Sequence, residues 1–440
     1  MMNRRREIPA SLILWLFLLG GSLLSCESAL EQLSGFDTSR LEGCYPLTDS
    51  ASVSEMAKLL YRVDRLSEGS MESRLSGQNA GESSATGEVI EVEGEVVKIR
   101  AFRVPEKLVE FLEMSDFREV WIDTPAHRSA VYVKQSPGGI AIGDRVKVFA
   151  FQIGDRERTD DANEGRLPLV ARKLSWFPAN PDSVGWTLLG EQGVDLSLLS
   201  ELPKRNRLSL KADDNAFFYA GMQAADELRK RPAGTLPTAS DVGPIDLLKS
   251  PQNFHGEWIA LDLKTIRITR VAVERASHQE ALGQPYYWQV DASGDLGKTV
   301  IQLTRDEGDP IQLSGYYPVT LVSKSLPKFL QSKVEEGVVV ALIDEPVRIE
   351  GFFVRLWSYE NEFMQQQDAG KQVAPLLIAS LWKSTLVIRQ SSGVEVIGYG
   401  LAVFVTASIL GTLWWTRRNA IKDRAAKTLT EAPTVEIELP

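Results

Sequence analysis

The chain has 440 residues, 43% hydrophobic and 25% charged, with a formal net charge of −10. This length allows two or three domains, and the composition is globular rather than fibrous or disordered. The acidic balance argues against general affinity for phosphate backbones, so nucleic acid is not expected as a partner. The cysteines, Cys26 and Cys44, and the histidines, His127, His255 and His278, follow no metal-ligand spacing, so neither a metal nor a cofactor is expected.

At the N-terminus, Arg4, Arg5 and Arg6 precede an apolar run from Ser11 to Leu24. As a helix that run is about 21 Å long, short of the roughly 30 Å hydrocarbon core. A basic start and a short apolar stretch mark residues 1–26 as a secretory signal. The end of that stretch, "LLSC" (Leu23 to Cys26), resembles a bacterial lipobox, which makes Cys26 a candidate for lipidation. Without lipid, Cys26 and Cys44 are free to pair in an exported compartment. Residues 27–86 read as loosely ordered. They hold one short amphipathic helix, with Ser52 and Glu55 as a capping box and Met56, Leu59, Leu60 and Val63 on one face. A Ser/Gly-rich linker follows.

From Gly87 the period changes to two. "EVIEVEGEVVKIRAFRV" is a long first strand that bends at Gly94. "REVWIDT" and "SAVYVKQ" form a hairpin, "RVKVFAFQI" is a fourth strand, and "PLVARKLSWF" a fifth. The loop between the last two gathers Asp155, Asp160, Asp161 and Glu164, whose spacing fits no calcium loop. Residues 190–232 are helical in character, with Phe218, Met222 and Ala225 on one face beside Phe217, Gly221, Ala224 and Leu228. Ser209 is the expected N-cap, with Asp213 and Asp214 at the helix start.

A second strand series follows: "TIRITRVAVE", a hairpin of "YYWQVDA" and "KTVIQLT", then "PVTLV", "EPVRIEGFFVRLW" and "APLLIASLW". Val146, Val148 and Phe151 match Val347, Ile349 and Phe352, and Pro168-Leu169 matches Pro375-Leu376. The same small barrel is therefore written twice. "ASGDLGKT" (Ala292 to Thr299) matches a relaxed phosphate-loop string, but a β-branched stretch follows it rather than a helix, so it is read as the hairpin turn. Val396 to Thr416 carries no charge and gives about 31 Å of helix. Trp414 and Trp415 close it, and Arg417, Arg418, Lys422, Arg424 and Lys427 follow, which places the tail in the cytoplasm.

Five strands, a long curved first one and "GDRVKV" leading into the fourth resemble the OB-fold over residues 87–178 and 255–388. The segments "VRIEGFFVRLWSYE", "QVAPLLIA" and "VDLSLLSELPKRNRLSLKADDNAFFYAGMQAA" resemble uncharacterised membrane-anchored proteins of planctomycete-type bacteria, a resemblance that implies architecture and no activity. The expected fold is mainly β. Two OB-like five-stranded barrels (87–178 and 251–390) are joined by a helical connector (179–250), with a transmembrane helix (396–416) and an inner tail (417–440). OB-type barrels take ligands on strands two and three and nearby loops. That nominates Trp121 and Tyr132 in the first barrel and Tyr286, Tyr287 and Trp288 in the second. Arg355, Trp357 and Tyr359 extend the second set, although packing within the barrels is the plainer role for all of them. No catalytic motif appears. The expected function is a non-catalytic scaffold or protein-binding module, tethered to the inner membrane with its body exported and bound to an envelope protein. The alternatives are an oligosaccharide-binding module and an envelope enzyme of unrecognised class.

Overall fold

In the computed structural model, the described residues are 33, 35–66, 71, 86–125, 127–155, 166–303, 311–334, 337–366, 370–386 and 434–437. The signal with Cys26, the apolar segment 396–416, its basic flank, and Asp160, Asp161 and Glu164 lie outside them. No helix among the described residues is long and apolar enough to cross a membrane. The chain is mainly β, with two sheets and two units. One is Met1–Ser136 with Val146–Leu174, the other Pro137–Arg145 with Ser175–Pro440.

The first sheet contains β1 (Val89–Arg103), β2 (Asp116–Asp123), β3 (Arg128–Val133), β4 (Arg145–Gln152) and β5 (Arg166–Ala171). Their order is β1-β2-β3-β5-β4, and β1 also pairs with β4, so the sheet closes. β3 and β5 run parallel. This arrangement is consistent with an OB-like fold. Closure needs β1 to bend across the end of β2. A Cβ at Gly94 would lie 2.2 Å from the Asp123 carbonyl oxygen, and the register shifts between Val96 and Lys98. Along β4, Val146, Val148 and Ala150 are buried and line the interior, while Lys147 and Phe149 alternate outward.

Residues 35–66, before the barrel, are packed, not loose. The helices α1 (Thr38–Glu42) and α2 (Ser50–Val63) bury Leu41, Met56, Leu59, Leu60 and Val63 against Phe117, Ala130, Tyr132 and Val170 on the barrel's outer face. Each such side chain contributes about 1.5–3 kcal/mol. α2 begins earlier than the expected capping box. Asp49 is the cap, accepting from the Ala51 and Ser52 N–H groups at 3.1 and 2.8 Å, and Ser52 returns the bond as its third residue. Glu55 instead pairs with Arg40 at 2.8 Å. Cys44 is a buried free thiol, pushed up to about 12 by desolvation. A third helix, α3 (Glu106–Leu112), links β1 to β2 and buries Leu112 in the same cluster.

In the second unit the barrel strands are β6 (Trp258–Ala272), β7 (Tyr286–Leu303), β8 (Ile311–Ser323), β10 (Pro346–Tyr359) and β11 (Gln372–Ser384). A short strand, β9 (Val340–Leu342), pairs with β6. The order β6-β7-β8-β11-β10, closed by β6–β10, repeats that of the first sheet, including the parallel pair β8–β11. At Gly351, a Cβ would lie 2.2 Å from the Ile378 carbonyl oxygen, where β10 irregularly crosses β11. The expected "YYWQVDA"–"KTVIQLT" hairpin is absent, because both segments lie on the single strand β7, whose antiparallel partner is β8. "GDLG" is a bulge: Asp295 faces Tyr316, Val300 faces Ser314, and the Gly297 N–H donates to Asp295 at 2.7 Å.

The helices α4 (Val184–Glu191), α5 (Ser197–Glu201) and α6 (Asn215–Arg229) also belong to the second unit. α6 buries the expected face, Phe217, Phe218, Gly221, Met222, Ala224, Ala225 and Leu228, and packs on β11. Ser209 does not cap it; its hydroxyl meets Lys371 at 3.0 Å. A final strand, β12 (Thr434–Ile437), pairs in parallel with Val300–Leu303 of β7. A molecule whose tail lies across a bilayer from the barrel would have to give up this pairing. For a chain inserted with its tail inside, cysteines at Gln302 and Glu436, which face each other in this register, should not join when intact membranes are mildly oxidised. A crosslink would put the tail on the barrel's side and end that topology.

Candidate functional site

Arg355 is a structural residue. It is fully buried, at 0% exposure. Its Nε and Nη2 donate to Asp214 at 3.2 and 2.9 Å, and its Nη1 donates to the carbonyls of Arg205 and Leu208 at 2.8 and 2.7 Å. The planar guanidinium thus ties the segment before α6 to β10 with a two-point carboxylate fork. No polar hydrogen is left aimed at a ligand.

The aromatics divide. Tyr132 lies beneath the N-terminal helices, donates to Glu119 at 2.8 Å, and has its hydroxyl pushed well above the usual range by burial. Tyr287 packs edge-on to Phe218 of α6 at 5.3 Å, and burial pushes it up to about 12. Trp357 and Tyr359 stack on each other at 4.8 Å, and burial also pushes Tyr359 up to about 12. Tyr286 and Trp288 alternate to the other side of β7 from Tyr287, with ring centroids 5.7 Å apart and Arg270 over Tyr286. Both are half-buried, and Trp288 packs against the core.

Trp121 is half-buried and surrounded by charge. Lys98, Arg100 and Arg166 lie 4.3, 4.9 and 4.4 Å from its ring. The register explains this: Lys98 is directly opposite Trp121, and Arg100 opposite Glu119, with which it also forms an ion pair at 3.0 Å. The sequence reading named the tryptophan and missed its cations. The "KIR" stretch facing "EVW" across an antiparallel pair was the available signal.

Sequence reasoning also missed the larger opening. A cleft of about 680 Å³ in the second unit is lined by Lys264, Thr265, Ile266, Ser293, Tyr316 and Leu342 with its neighbours Ile343 and Asp344. Ile266, Tyr316 and Leu342 are 48%, 61% and 82% exposed. Lys264 and Asp344 form an ion pair at 2.9 Å in its wall. The cleft sits where β6 shifts register between Thr265 and Arg267. Among the described residues, no three His, Cys, Asp or Glu side chains are grouped to hold a metal ion.

No family model matches the chain, and no curated protein matches it. Solved structures do. A small single-stranded DNA-binding protein from Streptomyces coelicolor is 10% identical, with 29% of this chain and 94% of that one covered, at a TM-score of 0.17. A putative aspartyl-tRNA synthetase from Leishmania major Friedlin is 9% identical over 48% of this chain and 45% of its own, at 0.16. The aspartyl-tRNA synthetase of Entamoeba histolytica is 8% identical over 52% and 50%, at 0.14. The chain thus spans about half the length of the two synthetases. These neighbours, nucleic-acid proteins by title, correct the expectation that nucleic acid is excluded. That expectation came from net charge, which averages over the whole surface and misses a local cluster such as the one around Trp121.

The Asp214–Arg355 pair yields a direct test of this assignment. Asp214→Ala leaves a buried guanidinium unpaired and should cost about 3–5 kcal/mol, read as a lower urea midpoint. A change under about 0.5 kcal/mol, the range of ordinary surface substitutions, would show that the pair does not hold the connector.

Proposed function

We propose that the chain is a non-catalytic, membrane-tethered envelope protein whose second OB-like barrel docks a partner protein. Val396–Thr416 supplies the tether, with its basic flank inside. The observation that carries the reading is the exposed apolar cluster at the cleft, Ile266, Tyr316 and Leu342, rimmed by the Lys264–Asp344 pair. An apolar centre with a charged rim is the anatomy of a protein interface. Leu342→Asp places a charge at its centre without touching the core. Crosslinking in membranes should yield one dominant protein adduct at Tyr316, lost in Leu342→Asp by at least about thirtyfold, the weight of a hot spot. An adduct pattern unchanged by Leu342→Asp would refute docking at the cleft.

The cations around Trp121 support a second reading, in which the rim of the first barrel holds single-stranded nucleic acid by charge and stacking. Anisotropy of a labelled oligo-dT should then fall with added salt and weaken about tenfold in Lys98→Glu. No binding at low salt would retire this reading.

A further inference from the structure

A second cavity, of about 250 Å³, lies within the second unit, away from the apolar cleft. Its mouth carries the exposed side chains of Asp182 and Asn253, and Trp186 and Leu199 form apolar walls. His255 also lines it and is 6% exposed. The ring's Nδ1 lies 2.7 Å from the Val354 carbonyl oxygen. A carbonyl only accepts, so Nδ1 carries the proton and Nε2 presents a lone pair. That Nε2 is buried and has no hydrogen-bond partner. Phe353 stacks on the ring at 5.6 Å, and Trp186 donates to the His255 carbonyl at 2.9 Å, so the imidazole is held in place. Burial keeps His255 neutral by lowering its pKa, and burial raises that of the neighbouring Glu257 carboxyl.

Two features define what fits. The cavity holds several times the volume of one water, about 30 Å³, so a single bridging water does not fill it. Its lining contains two carboxylates, Asp182 and Glu257, and no lysine or arginine. Anions are therefore repelled, and an orphaned acceptor at the floor calls for a donor. We propose that this cavity binds a small primary ammonium compound, its N–H groups shared between His255 Nε2 and the Glu257 carboxylate, with its carbon chain against Trp186 and Leu199. Nothing in this site is needed for partner docking at the apolar cleft.

The test titrates full-length protein in mild detergent with ethanolamine and with methylammonium, at constant ionic strength, and with glycerol as a neutral donor of similar size. Calorimetry and ligand-detected NMR are the readouts. Saturable binding of the two amines is expected, at least tenfold tighter than glycerol, and at least tenfold weaker in Glu257→Gln. His255→Phe should abolish it. Should that variant fail to fold, Glu257→Gln decides alone, since Glu257 is half-exposed. Glycerol binding as tightly as the amines, no saturation up to about 100 mM, or Glu257→Gln binding like the parent would each overturn the proposal.

Discussion

A five-stranded sheet this small stays dry inside only if its first strand pairs along both edges. In this chain β1 pairs with β2 and β4, and β6 pairs with β7 and β10. At Gly94 on β1 and at Gly351 on β10 a side chain would strike a neighbouring carbonyl, and a register shift lies beside each. Once the sheets close, the interior is filled by packed side chains and function is left to outer faces and loops.

What covers those outer faces then decides which residues are available. In the first barrel, α1 and α2 lie over the face carrying Phe117 and Tyr132, leaving the Trp121 rim. In the second, α6 lies on β11 and takes Tyr287 into its packing, while Arg355 is consumed by Asp214 and carbonyls of the connector. Two openings remain: the apolar cleft at the β6 bend, to which β7 and β8 contribute Ser293 and Tyr316, and the cavity lined by Trp186 of α4 and His255. The first offers exposed apolar surface, the second a buried acceptor, so they fit different occupants.

The strand pattern was legible because alternation is local. Val146-Lys147-Val148 and Val347-Arg348-Ile349 announce their faces without reference to anything distant. The face of α6 was legible for the same reason. Arg355 was named as a candidate ligand group beside its plainer packing role, and its partner could not be read, because Asp214 sits 141 residues away and no local period marks the pair. "ASGDLGKT" misled because its glycines fit a turn as well as a bulge inside a long strand, and only the pairing with β8 distinguishes them. In the N-terminal region the helix and its apolar stripe were legible, but the barrel surface that the stripe packs on was not, so the region read as loose. Asp49 capped it because a cap needs only a free side-chain oxygen at the right turn, and Asp49 met that condition three residues before Ser52.

Amide hydrogen exchange along the first strand of each barrel tests closure most directly. Closed barrels protect both halves of β1 and β6, so the stretches Val89–Val96 and Trp258–Leu263 should exchange as slowly as the central strands β3 and β8. If those stretches instead exchange within seconds, as an unpaired sheet edge does, the sheets are open and the account of what lies inside, outside and beneath the helices fails.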